Sequence, residues 1–251
     1  MSIGRDAGAP PERLSDDRSV TRDRPGSRRG EPVSGPAGDA SSGAALGISH
    51  DLSRDRFERV LRGHQVADPE TAGRRSAVAA VLRFERGVPQ VLLMKRAERP
   101  GDRWSGQISL PGGREDRSDR DLLATAIRET EEEVGLKLAH DARLIGRLQP
   151  IPAIAHGQVM SMVIAPFVFV ETRPGPLVLG PEAQAGFWLP LDQVAAGALA
   201  GEYPYRMGAT VERMPCWEFS GHIIWGLTYR MLGDLLALVD VAVPRWQPPL
   251  R

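Results

Sequence analysis

One segment constrains the chain more than any other: the thirteen residues Leu122–Val134, preceded by Gly112-Gly113 and followed at once by Gly135. Their apolar positions recur with helical period. With Leu123 at zero on a helical wheel and about 100° per residue, Ala126, Ile127, Thr130 and Val134 fall within roughly 60° of it. That is a stripe to be buried. Glu129, Glu132 and Glu133 gather on the opposite side, while Glu131 falls apart from them and reads as a solvated bystander. A helix with one such stripe needs an apolar layer to lie on. The flanking sequence supplies it: Ser76–Phe84 and Val91–Met94 are apolar runs split by Arg86-Gly87, which predicts two strands joined by a turn. Ala142–Leu148, Ser161–Val170 and Phe187-Trp188-Leu189 are further strand candidates, Ile223–Leu238 has helical period, and Asp51-Leu52-Ser53 opens a short helix carrying Phe57, Val60 and Leu61. Strands interleaved with helices predict an α/β class fold, an α/β/α sandwich with a mixed sheet between helices.

Composition narrows the function classes. The 251 residues carry 32 basic and 32 acidic side chains, so the formal net charge is zero. Nucleic-acid binding through bulk positive charge is therefore not expected. No apolar run reaches the roughly 18 residues needed to cross a bilayer, which predicts no membrane partner. The start MSIGRDAGAPPERLSDD lacks a secretory apolar stretch, and the single cysteine, Cys216, has no internal disulfide partner; both fit a cytoplasmic setting. Residues 1–50 hold no aromatic, and 21 of them are Gly, Pro or Ser, a composition too poor in apolar surface to offset ordering entropy. They read as a disordered leader, or as sequence upstream of the natural start. Residues 51–251 read as a single domain.

Three carboxylates at i, i+3 and i+4 repel one another, by about 0.2–0.5 kcal/mol per exposed pair and by more in a closed cleft. No row of lysines offsets them. Hard divalent cations take oxygen ligands, and Mg²⁺ combines one or two carboxylates with water and substrate phosphates. Arg128 falls about 40° from Glu132 on the wheel, placed to orient it.

These residues carry a resemblance. Gly113, Arg128, Glu129, Glu132, Glu133, Gly135 and Leu136 match the Nudix hydrolase signature G-x5-E-x7-R-E-U-x-E-E-x-G-U, with Thr130 at the first apolar place. The mid-motif acid is Asp119, with eight residues instead of seven before Arg128, a variation similar to the coenzyme A pyrophosphatase branch. Upstream, Leu92-Leu93-Met94-Lys95-Arg96-Ala97 and Gly106–Gly113 resemble that branch's motif, although Met94, Leu110 and Asp102 depart from it and Arg103 or Arg99 would have to stand for its second arginine. Pro181-Glu182-Ala183 and Ile224–Thr228 resemble its acidic loop and last helix. The similarity is clearest over residues 76–238.

The resemblance implies a Nudix-type sandwich and an Mg²⁺- or Mn²⁺-dependent diphosphatase acting on coenzyme A, its thioesters or a related nucleoside diphosphate derivative. ADP-ribose- or NADH-type substrates, and a nucleotide-sensing module without turnover, are the alternatives. It implies metal ligation by Glu129, Glu132, Glu133 and the carbonyl of Gly113, with Arg128 in support and Glu182 as general base or extra ligand. Arg96, Arg103 and Trp104 are the candidate substrate contacts, by phosphate pairing and ring stacking. Apolar residues around Val239–Val243, if exposed, would support a homodimer.

Overall fold

The computed structural model describes residues 50–247 apart from 70, 72, 156, 208 and 209. The expected leader and His156, a loop residue with no assigned role, lie outside these. In chain order the elements are α1 (Arg54–Gly63), β1 (Arg74–Glu85), β2 (Val88–Arg96), β3 (Ile108–Ser109), β4 (Gly112–Arg114), α2 (Leu122–Val134), α3 (Leu138–Asp141), β5 (Ala142–Arg147), β6 (Ile151–Ala155), β7 (Gln158–Glu171), β8 (Ala183–Pro190), α4 (Leu191–Ala195), β9 (Ala200–Met207), β10 (Thr210–Phe219), β11 (His222–Ile224) and α5 (Gly226–Ala237). No helix among the described residues is long and apolar enough to cross a membrane.

Eight strands form one mixed sheet, with the path β3-β2-β1-β7-β5; β4 adds to β1, β6 to β7 and β8 to β2. β1 and β7 pair in parallel, from Arg74 opposite Met162 to Leu82 opposite Val170, and the remaining pairings are antiparallel. The β1–β2 hairpin closes through Arg86 and Gly87, both at positive φ, as a two-residue turn requires to follow the strand twist.

β1 is buried on both faces, and its alternation sorts the core. Ala77, Ala79 and Val81 face a cluster with Leu122, Ala126 and Val134 of α2, whereas Val78, Ala80 and Leu82 face one with Phe57 and Leu61 of α1 and Leu232, Leu235 and Leu236 of α5. Helices on both faces with a mixed sheet between them are the expected sandwich.

α2 has the residues predicted for it. Asp121 caps its start by accepting from Ala124 N–H at 2.7 Å, and Gly135, at φ 72°, closes it with an N–H to the carbonyl of Glu131. Its buried side is rotated from the expected one: Leu122, Thr125, Ala126, Thr130, Glu133 and Val134 point inward while Leu123 and Ile127 are half-buried. Glu133 can be inside because a backbone N–H meets its carboxylate there.

Three expectations are corrected. The last helix starts at Gly226, not Ile223, because Ile223 and Ile224 pair with β10 and Gly226 takes φ 66°. Val239 and Val241 are buried against the α1/α5 core, so the Val239–Val243 stretch offers no exposed apolar face for a homodimer. β6, β9 and β10 were not anticipated, since Pro152, Pro204 and Pro215 interrupt the strand pattern; each sits in a strand all the same.

Candidate active site

β4 runs beside β1 and under α2, and its two glycines let helix and strand close together. Gly112 donates its N–H to Glu133 Oε2 at 2.7 Å. A Cβ on Gly113 would fall within 2.5 Å of both carboxylate oxygens of Glu129, so that carboxylate lies directly on the glycine backbone. The three glutamates grade from closed to open: Glu133 is 2% exposed in its side chain, Glu129 15% and Glu132 58%. Burial pushes the carboxyl of Glu133 up to about 8, against the pull of the Gly112 N–H and Arg96. Burial also raises Glu129, with the charges of Glu132 and Glu182 adding to it.

Arg128 holds this face from one side. Its guanidinium donates to Glu129 at 2.9 Å, Glu132 at 3.2 Å and the carbonyl of Arg114 at 3.1 Å, and it grips Asp119 at 2.9 and 3.0 Å. Asp119 also accepts from the Thr125 hydroxyl at 2.8 Å and from Asp116 N–H at 2.9 Å. The Arg128 pairing keeps its carboxyl far below the usual carboxylate range.

On the other side two arginines cross the cleft. Arg96 pairs with Asp102 at 2.8 Å and reaches Glu133 at 3.8 Å, so its fork is already engaged by carboxylates. Arg99 pairs with Glu182 at 2.9 Å and donates to the carbonyl of Pro181 at 3.3 Å. Glu182 is therefore not the loosely held loop carboxylate its Gly/Pro flanks suggest. Its carbonyl accepts from Ala97 N–H, and the segment before it is stitched over the end of α2 by Val178 N–H to Val134 and Gly180 N–H to Glu133, each at 2.9 Å.

A cleft of about 1060 Å³ joins these parts, lined by Gly113, Glu129, Glu132, Glu133, Glu182, Arg96, Arg103 and Trp104 among others. The expected site residues thus share one cavity, with Arg128 bracing it from behind. Trp104 half-buries its ring against the α1/α5 core and donates its indole N–H to the carbonyl of Ile154 at 3.2 Å. Arg103 rests on the sulfur of Met160 at 3.4 Å. Cys216 lies in the core, its thiol pushed up to about 11 by burial.

The donor set is oxygen throughout, which suits a hard divalent cation and not a soft one. Among the described residues no three acidic, histidine or cysteine groups already converge as a preformed cage. Arginines hold the glutamates in place instead, and the carboxylate-lined cradle at Gly113 leaves room that a side chain would fill.

Residues 73–207 match the NUDIX domain family model. An uncharacterized Nudix hydrolase of Salmonella newport, NudL, is 30% identical over 201 residues, covering 78% of this chain and 96% of that protein. The chain belongs to the Nudix hydrolase family. An uncharacterized protein of Schizosaccharomyces pombe is 32% identical over 142 residues, which cover 49% of this chain and 43% of that one. Among solved structures, a Nudix hydrolase of Alicyclobacillus acidocaldarius is 19% identical with a TM-score of 0.44, covering 68% of this chain and 93% of that chain. A C. elegans Ap4A hydrolase is 20% identical with a TM-score of 0.41, covering 48% and 82%.

Within this Nudix hydrolase, sequence reasoning did not assign Thr125, which joins Asp119 to Arg128, nor the Arg99–Glu182 pair. Thr125 lies on the predicted helix and had no mark beyond its type. Arg99 and Glu182 are 83 positions apart, a pairing that only the β2–β8 register, with Arg96 opposite Ala183, brings together.

Proposed function

We propose that this Nudix hydrolase cleaves the diphosphate bond of coenzyme A, its thioesters or a related nucleoside diphosphate derivative, using Mg²⁺ or Mn²⁺ held by Glu129, Glu132, Glu133 and the carbonyl of Gly113. The observation that carries the reading is the Glu129 carboxylate seated on Gly113, with Glu133 buried one turn further on, at the wall of a cleft large enough for a nucleotide derivative. Bound there, the cation bridges phosphate oxygens and lowers the pKa of the attacking water. Arg128 fixes Glu129 and Glu132 in position, and is itself fixed by Asp119. Glu182 accepts a proton from water or adds an oxygen ligand, and Arg99 keeps its carboxylate facing the cleft. Water adds to one phosphorus, the bridging P–O bond breaks, and two phosphorylated products leave.

The test is incubation with coenzyme A, ADP-ribose, NADH and dinucleoside polyphosphates in Mg²⁺ or Mn²⁺, with products identified by mass spectrometry. Coenzyme A is expected to yield 4′-phosphopantetheine, and its absence removes the coenzyme A reading. Glu132→Gln is expected to lower kcat by about 10²-fold or more, since electrostatic stabilisation is lost with the charge. Full activity of that variant with Mg²⁺ sinks the metal assignment.

A further inference from the structure

The cleft does not end at the glutamates. β4 lies opposite β1 with Gly112 facing Val78, Gly113 facing Ala77 and Arg114 facing Ser76. Following β1 back toward its start leads to Arg74, which faces Met162 of β7. At about 3.3 Å per residue, Arg74 lies about 13 Å from Val78, the position opposite the Gly112 that holds Glu133. This end of the cleft is lined by Arg74, Arg103, Arg114 and the hydroxyl-bearing Ser161. The contact of Arg103 with the sulfur of Met160 anchors it at the same end, because Met160 is two residues beyond the partner of Arg74. Arg114 sits across from Ser76, two residues from Arg74.

These cations differ from the arginines beside the glutamates. Arg96 is engaged by Asp102, Arg99 by Glu182, and Arg128 by Asp119, Glu129 and Glu132. Arg75, next to Arg74 in sequence, is taken by Glu115. Among the described residues no carboxylate stands within ion-pair distance of Arg74, Arg103 or Arg114. Asp102 feels the charge of Arg114, but its oxygens are already bonded by Arg96 and by Trp104 N–H. Three guanidinium groups are thus drawn to one end of a cleft with no acid of their own, the reverse of the uncompensated glutamates at the other end.

Guanidinium forks match the oxygens of a phosphate, and a phosphomonoester brings close to two negative charges at neutral pH. A single phosphate group cannot span the separation between the glutamate face and Arg74. The ligand that satisfies both ends carries its anionic groups apart. We propose that Arg74, Arg103 and Arg114 form a second anion subsite, which takes a phosphomonoester that a nucleoside diphosphate derivative carries in addition to its diphosphate. The subsite rests on the diphosphatase reading for its substrate class, and it divides that class in two: derivatives with a further phosphate on the ribose, and those without.

The experiment pairs a binding measurement with a kinetic one. Calorimetry on the full chain compares adenosine 3′,5′-bisphosphate with AMP and with inorganic phosphate, in the wild type and in the Arg74→Gln, Arg114→Gln double variant. The wild type is expected to bind the bisphosphate about tenfold or more tighter than AMP, the effect of one charge-assisted pair, and the double variant to reduce that ratio to near one. In parallel, KM is measured for coenzyme A and for 3′-dephospho-coenzyme A; the phosphorylated member is expected to have the lower KM, and the difference to shrink in the double variant. Equal affinities for bisphosphate and AMP in the wild type, or a preference that survives the double substitution, overturns the subsite. Inorganic phosphate binding as tightly as the bisphosphate also overturns it, in favour of a site for free phosphate. A bisphosphate preference without hydrolysis of either coenzyme removes the diphosphatase reading and leaves the subsite standing, whereas hydrolysis of both with no preference does the opposite.

Discussion

Gly112 and Gly113 are adjacent, yet a methyl group on each would meet very different neighbours. At Gly112, with φ 146°, it would press on the Ala77 carbonyl and come within 2.5 Å of the Val78 Cα, both backbone atoms of the central strand. At Gly113 it would meet the far end of the Glu129 side chain, which can swing away. Gly112→Ala is therefore expected to lower stability by about 1–3 kcal/mol or more, read from urea denaturation. Gly113→Ala is expected to change stability by less than about 1 kcal/mol while lowering kcat by about 10²-fold, because a displacement of Glu129 by an ångström misplaces whatever it holds. Equal stability losses for the two variants would contradict this division. Asp119 makes a different contribution, since it touches no part of the cleft floor and serves to fix Arg128. Asp119→Asn leaves that guanidinium without its charged partner and is expected to cost about 1–3 kcal/mol at neutral pH. The sign with pH follows from the lowered carboxyl: its folded-state value lies below the unfolded one of about 3.9, so the stabilisation is present above about pH 4 and disappears as pH falls further. Urea midpoints at pH 7 and pH 3 should then converge for wild type and variant; a constant gap refutes the pairing as its source.

At the scale of elements, α2 was legible because three signals agreed: an apolar stripe, a capping Asp121 and a terminal Gly135. Asp121→Ala removes the acceptor for Ala124 N–H and is expected to lower stability by about 1 kcal/mol, with the loss visible in thermal unfolding and the helix otherwise retained. What the sequence did not disclose was the helix's rotation. A wheel treats Glu133 as polar and turns it outward, but burial of a carboxylate is decided by whether a donor meets it, here Gly112 N–H from another element. The β9–β10 hairpin was illegible for a local reason: Pro204 and Pro215 read as breaks, yet each occupies a position whose neighbours, Arg213 and Glu202, are in register across the pair. Ile223-Ile224 was misread because a short apolar run fits strand and helix alike, and only pairing with Glu218 and Trp217 settles it. The site itself was more legible than the fold around it. Its glutamates lie at fixed spacing on one helix, whereas Arg74, Arg99 and Thr125 gain their meaning from partners far away in sequence or from the register of β1 with β4 and β7.

Across the whole molecule, the even total of acidic and basic residues conceals a separation. Most arginines around the cleft are matched to carboxylates one by one, and the matching leaves over two unlike groups: the glutamate face of α2, braced but crowded with like charge, and the cations at the start of β1. The crowding at the glutamates has a thermodynamic consequence. Glu129 and Glu133 are buried enough that their carboxyls are raised by desolvation, so the folded state carries them at a cost that a divalent cation would relieve. A cation that binds only the folded chain stabilises it by RT ln(1 + [L]/Kd), which is about 2.7 kcal/mol at a hundredfold excess over Kd. In a domain of this size that corresponds to a rise in Tm of about 5–10 °C. Mg²⁺ or Mn²⁺ is thus expected to raise Tm in a concentration-dependent way, EDTA to reverse the rise and abolish turnover, and Glu129→Gln to weaken the dependence on metal concentration. A Tm unmoved by millimolar Mg²⁺ and Mn²⁺ would mean that the arginines alone settle this face, and that Arg128 and Arg96 compensate the glutamates in the working protein as they do in the structure.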